Sequence, residues 1–323
     1  MDDMTLSIKG VIDNKKEANN EEYIINEESF LRVEHKVEQE DVVYDRGTIQ
    51  NIWISLKENK LAIACMIILI IITIASILAP LSPWDPDAID LVNKFKTPSK
   101  EHIFGTDNLG RDYFTRALYG GRVSLQVGIF SMIVSIVVGT LFGTISGYIG
   151  GVVDSIMMRF VDIFMSVPSF LLIIIINAFI SPSMFTMIII IGMFAWMGVA
   201  RIVRAETMSL KERDFVLAAK GLGASNIEII FKHIIPNLIP SIIVAGSLSI
   251  ARAILTESSL SFLGFGVQLP MASWGSMLQN SQSQILELPY LAFFPGLLIL
   301  LTVMSFNILG DVLRNALEPK MVK

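Results

Sequence analysis

Two opposite charges, Arg252 and Glu257, stand inside an apolar run from Leu238 to Phe262. Charges in such a run are costly and face a cavity or a partner. Their spacing of five suits a direct helical pair poorly. Glu257 and Arg252 are therefore candidates for a passage or its gate, and Glu257 is expected either to line that passage near its outer end or to be satisfied by a neighbouring chain. Arg159 and Asp162, three apart, read as an ion pair on one helix face. The run Asp107-Asn108-Leu109-Gly110-Arg111-Asp112 superficially suggests a cation loop. Its spacing is wrong for an EF-hand, and the closing glutamate is absent. Asp107 reads better as a helix N-cap with Gly110 in the first turn. An amphipathic helix lying at the outer surface would follow through Arg116 and Tyr119. The three histidines, His35, His102 and His233, are scattered, with no H-E-x-x-H among them. Gly221-Leu222-Gly223 lacks both the spacing and the lysine of a phosphate loop, and no G-x-x-x-x-G-K-[ST] run occurs elsewhere. No catalytic, metal or cofactor site is expected in this chain, and no nucleic-acid partner.

The elements holding these residues must be membrane helices. Of 323 residues, 53% are hydrophobic and only 17% charged, and the mean hydropathy is +0.61. That is the composition of a polytopic membrane protein. The net charge of −5 arises mostly before the first apolar run. The single cysteine, Cys65, lies within that run and implies no disulfide. The first residues are acidic and polar, unlike a signal peptide. Residues 1–59 are read as a cytoplasmic tail, partly disordered, with short helical pieces. A helix needs about 20 apolar residues to cross a bilayer. Six runs qualify: 61–81, 123–148, 156–180, 184–203, 238–262 and 291–313. Backbone groups in lipid must be satisfied within the segment, so the class is all-α with six transmembrane helices. Three parts follow: the tail, then 60–119 with the first span and a long extracytoplasmic loop, then a core of five spans over 120–323.

Basic residues orient the spans. Lys57 and Lys60, the group from Arg201 to Lys232, and Arg314, Lys320 and Lys323 share one side, which places both termini in the cytoplasm. Lys94, Lys96, Lys100, Arg111, Arg116 and Arg122 lie on the other side and run against the rule. Gly139, Gly143 and Gly147 fall on one face of the second span and permit close helix packing. Pro168 should kink the third.

Between spans four and five, about 205–237, the chain turns polar and helical. A short helix should run from Ser209 or Asp214 to about Lys220. Gly221 and Gly223 supply a corner. Ser225-Asn226-Ile227-Glu228 fits a capping box. Ile227, Ile230, Phe231 and Ile234 then form an apolar stripe that Pro236 ends or bends. That is long for a mere connection and fits a docking element for a cytoplasmic partner.

This stretch resembles the EAA signature of membrane subunits in binding-protein-dependent ABC importers. Ala218-Ala219, Gly223 and Pro236 match, whereas Leu217 stands at the usual glutamate and Ile235 at the usual leucine. HIFGTDNLGRDYFTRALYGGRVSL from His102, TESSLSFLGFGVQLPMASWGSML from Thr256 and FNILGDVLRNALEP from Phe306 are similar to segments of the oligopeptide/dipeptide/nickel subfamily, most of all its C-type permease subunit. The likeness spans about Leu61 to Pro319. It implies a type I ABC importer permease fold in a prokaryotic plasma membrane. It implies a second permease subunit, one or two kinds of ATPase binding ATP and Mg, and an extracytoplasmic peptide-binding protein. It makes Asp214, Val216, Ala218, Ala219, Gly221, Gly223, Ser225 and Pro236 the ATPase-coupling loop, and Gly105, Thr106, Asp107, Gly110, Arg111 and Asp112 an extracytoplasmic motif. In that family a glutamate is usual at Glu257 and a small residue at Arg252. An ion-driven carrier would show repeated broken helices, and a membrane scaffold an output domain; neither pattern is visible.

Overall fold

The structure is a computed structural model that describes residues 48–180 and 183–317. The expectations for the tail before residue 48, and for Lys320 and Lys323, lie outside the described residues. Eleven α-helices follow in order among the described residues. They are α1 (Thr48–Glu58), α2 (Lys60–Ile77), α3 (Tyr113–Ile149), α4 (Gly151–Met165), α5 (Ser169–Phe179), α6 (Met184–Leu210), α7 (Asp214–Gly221), α8 (Asn226–Ile229), α9 (Ile235–Phe262), α10 (Trp274–Ser281) and α11 (Tyr290–Leu317). A π-helical turn, Ile230–Ile234, joins α8 to α9.

Polar caps set where the apolar runs begin. Asn59 Oδ1 accepts the Leu61 and Ala62 N–H groups at the start of α2. Asp112 accepts the Thr115 N–H to open α3. Ser183 and Thr186 form a reciprocal box at α6. Such caps satisfy donors that have no partner inside the helix.

Among the described residues, five helices are long and apolar enough to cross a membrane: α2, α3, α6, the continuous unit Asn226–Phe262, and α11. α4 and α5 pass the same test only as a pair, bent by 74°, which makes a sixth span if the pair counts as one crossing. The expected kink at Pro168 is thus a full break. Proline lacks an N–H, and it pushes the residue before it out of helical geometry.

α3 is the central post. Gly139, Gly143 and Gly147 bring it so close to α6 that an added Cβ would lie 2.7, 2.5 and 2.7 Å from α6 atoms. The expected packing face is therefore real. On its other side Gly128 meets Ile250 and Ile254 of α9. α10 does not cross; it tucks into the bundle with Trp274 buried and its Nε1–H donated to Ala117 O at 2.9 Å.

Candidate functional site

At one end of the bundle α7, α8 and the π-turn form an elbow. α7 stops in a Schellman arrangement: Ala224 N–H bonds Ala219 O at 3.1 Å and Gly223 N–H bonds Lys220 O at 3.0 Å. Gly223 has φ +84°, where a side chain is strained. Gly221 is still helical and needs no such freedom, so the corner rests on Gly223 alone. Ser225 then caps α8 by accepting the Glu228 N–H at 3.2 Å.

The underside of the elbow is apolar and enclosed. Val216, Ile229, Ile234 and Leu238 are buried against Val199 and Val203 of α6. Tyr148, at the end of α3, donates to Asn226 Oδ1 at 3.0 Å. The expected stripe of Ile227, Ile230, Phe231 and Ile234 is corrected here. Ile227 is 70% and Phe231 59% exposed, while Ile229 and Ile234, five apart, face inward. The π-turn adds a residue to the turn and shifts the buried register. Pro236 ends nothing: the wide turn relieves its clash, and α9 runs on through Pro240. The outward face carries Leu217, Leu222 at 90% exposure, Ile227 and Phe231, with Asp214, Ala218 and Gly221 beside them. Ala219 is half-buried beneath. His233 lies half-buried against Phe215, ring centroids 6.4 Å apart.

At the opposite end, the loop between α2 and α3 folds around one carboxylate. Asp107 Oδ1 accepts the Leu109 and Arg111 N–H groups, and Oδ2 pairs with the Arg111 guanidinium at 2.7 Å. Arg116 Nε lies 3.6 Å from the same oxygen. Asp107 is therefore a loop lock and not the expected N-cap; that role falls to Asp112. No separate surface helix exists either, because Arg116 and Tyr119 already belong to α3. Asp112 also receives His102 Nδ1 at 2.9 Å. Thr106 donates to Asn93 O at 2.5 Å and accepts the Lys96 N–H at 2.8 Å. Gly105 and Gly110 both have positive φ, and a Cβ on Gly110 would sit 1.7 Å from Asp90 O. All the motif residues thus meet in one buried knot.

The intramembrane charges divide. Glu257 is fully buried in a cage of hydroxyls: Ser261 at 2.7 Å, Ser124 at 3.0 Å and Ser258 at 3.3 Å all donate to it. Ser124 in turn accepts the Trp274 N–H at 3.3 Å, which ties α3, α9 and α10 together. In this arrangement Glu257 lines no open passage. Arg252 is exposed on another face of α9, and the structure does not bring the two together. The Arg159–Asp162 pair is also corrected. Asp162 bonds Arg201 of α6 at 2.5 Å, because the neighbouring helix offers a shorter reach than the same helix does. Nearby, Arg204 grips Asp154 with two bonds of 2.5 and 2.6 Å, and Ser146 donates to the same carboxylate. Neither tertiary pair has a sequence-local signal, since their partners lie on different helices.

The family of binding-protein-dependent transport system inner membrane components matches residues 139–323, and the N-terminal TM domain of oligopeptide transport permease C matches 47–98. The chain belongs to this importer permease family. The oligopeptide transport system permease protein OppC of Bacillus subtilis is 42% identical over 268 residues, 83% of this chain and 88% of that protein. The dipeptide transport system permease protein DppC of Alkalihalophilus pseudofirmus is 44% identical over 267 residues, 82% and 88% of the two chains. OppC of Escherichia coli K12 is 43% identical over 265 residues, 81% and 88%. Among solved structures, a chain of the inward-facing MetNI methionine ABC transporter superposes with a TM-score of 0.50 at 18% identity. It covers 62% of this permease and 96% of itself, and so shares its fold. The family, the helical permease fold and the role as a transport subunit in the plasma membrane agree with the expectation from the motifs.

Proposed function

We propose that this permease serves an ATP-driven peptide importer and that the elbow is where it meets its motor. The observation that carries the reading is the exposed apolar tip on a rigid base. Leu217, Leu222, Ile227 and Phe231 are 49–90% exposed, yet the backbone beneath them is fixed by a Schellman turn, a serine cap and a buried cluster. A solvated connection has no need of either feature, whereas a groove-filling plug needs both. In this reading one or two kinds of ABC ATPase dock on the elbow and bind ATP and Mg, and this chain carries no ATPase site. The termini and the elbow are cytoplasmic. A second permease completes the pathway, and an extracytoplasmic binding protein delivers oligopeptides or dipeptides at the end that carries the Asp107 knot.

The test is Leu222→Asp in the assembled transporter. Leu222 is 90% exposed, so folding is untouched. The chain should reach the membrane in normal amount, co-purify with its second permease, and lose at least about ten-fold in peptide-stimulated ATP hydrolysis and in uptake. Wild-type coupling from Leu222→Asp would refute the docking assignment.

A further inference from the structure

α9 packs against α3, α5, α6, α10 and α11. Gly128 of α3 presses on Ile250 and Ile254, Gly275 of α10 on Ser258, and Gly310 of α11 on Leu248. Ala253 and Leu260 join the cluster that holds Ile173 of α5 and Ile190 of α6. The outward side carries the exposed Arg252 and the half-buried Ser249, Thr256 and Ser259, spaced three, four and three apart, flanked by the exposed Ile243 and Leu255. At 100° per residue these four fall within about 80° of one another. Arg252 is exposed at the centre of this line, and its guanidinium has no hydrogen bond or ion pair among the described residues. It lies ten residues before Phe262, the last residue of α9. That is about 15 Å along the axis, half the thickness of a hydrocarbon core. A guanidinium in lipid at that depth is strongly disfavoured, so the face is one that water or another chain must cover. On α4 and its C-cap, Ser155, Arg159, Asp162 and Ser166 are also exposed, among the exposed Ile156, Phe160 and Ile163.

We propose that Arg252 is a carboxylate-binding position at mid-membrane, which holds the C-terminal carboxylate of a peptide in transit; this rests on the peptide-import reading above. Peptides of varied sequence share only their backbone and their two ends, so a fixed cation can recognise the carboxylate of all of them. The planar guanidinium matches a carboxylate with two parallel bonds. Among the described residues no acid is paired with it. Glu257 points to the opposite side of α9 and is held by Ser124, Ser258 and Ser261. Asp162 is engaged by Arg201. The exposure of Arg252 keeps the attraction weak enough for release, as a conducting site requires.

The experiment uses the complete transporter in proteoliposomes with its binding protein saturated, so that delivery no longer limits the rate. The maximal uptake rate is compared for one peptide with a free C-terminus and for its C-terminal amide. Wild type should carry the free acid at least about five-fold faster. Arg252→Gln should bring the ratio close to one by slowing the free acid, and Arg252→Lys should keep most of the preference. An unchanged ratio in Arg252→Gln overturns the assignment, as does equal transport of both forms by wild type. Failure of both variants to assemble with the second permease also overturns it, making Arg252 an interface charge. Transport of neither form by wild type would refute the peptide-import reading itself.

Discussion

Gly143→Ala should destabilise the permease through a single methyl group. A Cβ at Gly143 would lie 2.5 Å from the Ala200 carbonyl oxygen, 2.9 Å from Val203 Cβ and 3.0 Å from Arg204 N. Ordinary contact begins at 3.4 Å, so α3 and α6 must part by about 1 Å. Two of the three obstacles are helix backbone and cannot rotate aside. Overpacking of this kind costs about 1–3 kcal/mol. Any separation also loosens the flanking contacts at Gly139 and Gly147, which adds in the same direction. Gly296 of α11 provides the contrast, because a Cβ there meets only Leu278 Cδ2 at 3.9 Å. Gly296→Ala should be neutral or gain up to about 1 kcal/mol from the reduced freedom of the unfolded chain. Thermal unfolding in mild detergent separates the two, with Gly143→Ala melting several degrees below wild type and Gly296→Ala at or above it. Equal shifts, or a Gly143→Ala variant as stable as wild type, would refute the argument that backbone contact holds this seam.

Further outcomes follow from Glu257 and from the two aspartate–arginine pairs. Glu257→Ala leaves three serine hydroxyls without their acceptor and should cost about 1–3 kcal/mol or more, seen as a lowered melting temperature and easier proteolysis around α10. Glu257→Gln keeps the shape and one acceptor oxygen, and should retain uptake and most of the stability; a folded Glu257→Gln without transport would restore a pathway role. Asp154→Asn breaks the two-bond grip of Arg204 and should lower the melting temperature by a few degrees. Asp162→Asn, whose partner Arg201 is 45% exposed, should change the stability by under about 1 kcal/mol and leave the melting temperature near that of wild type. Matching losses in these two aspartate variants would show that burial does not separate the pairs.

The helices were legible because a bilayer demands long apolar runs, and the elbow was legible from Ser225 and Gly223, whose roles are local. What escaped was set by contacts between distant segments. α3 begins at Tyr113 and not near Val123, because Asp112 caps it and the loop knot buries polar residues that read as surface. The buried register of the elbow follows a π-turn, and no periodicity of 3.6 reveals an inserted residue. Asp162 had a partner at helical spacing, yet the bundle supplied a better one in Arg201. α10 hid in plain sight: eight residues with Trp274 at their head give no amphipathic signal long enough to notice, though they close the cage around Glu257.

The corrected course of α9 bears on how the proposed coupling would travel. A helix ended by Pro236 would separate the elbow from the membrane segment, and force at Leu222 would dissipate in a flexible joint. The observed unit is continuous from Asn226 to Phe262, 37 residues, or about 55 Å. Its far end is pinned where Glu257 bonds across to α3 and, through Ser124, to α10. Measured along the axis from that pin, the elbow lies about six times farther away than Arg252 does. If the rod pivots there, a shift of several ångströms at the docking tip becomes one of under an ångström at Arg252. That is enough to weaken a bidentate bond without moving the helix out of its packing. Release of a carboxylate and docking of a motor would then be two ends of a single stiff element, with Pro236 tolerated inside it because the turn before it is wide.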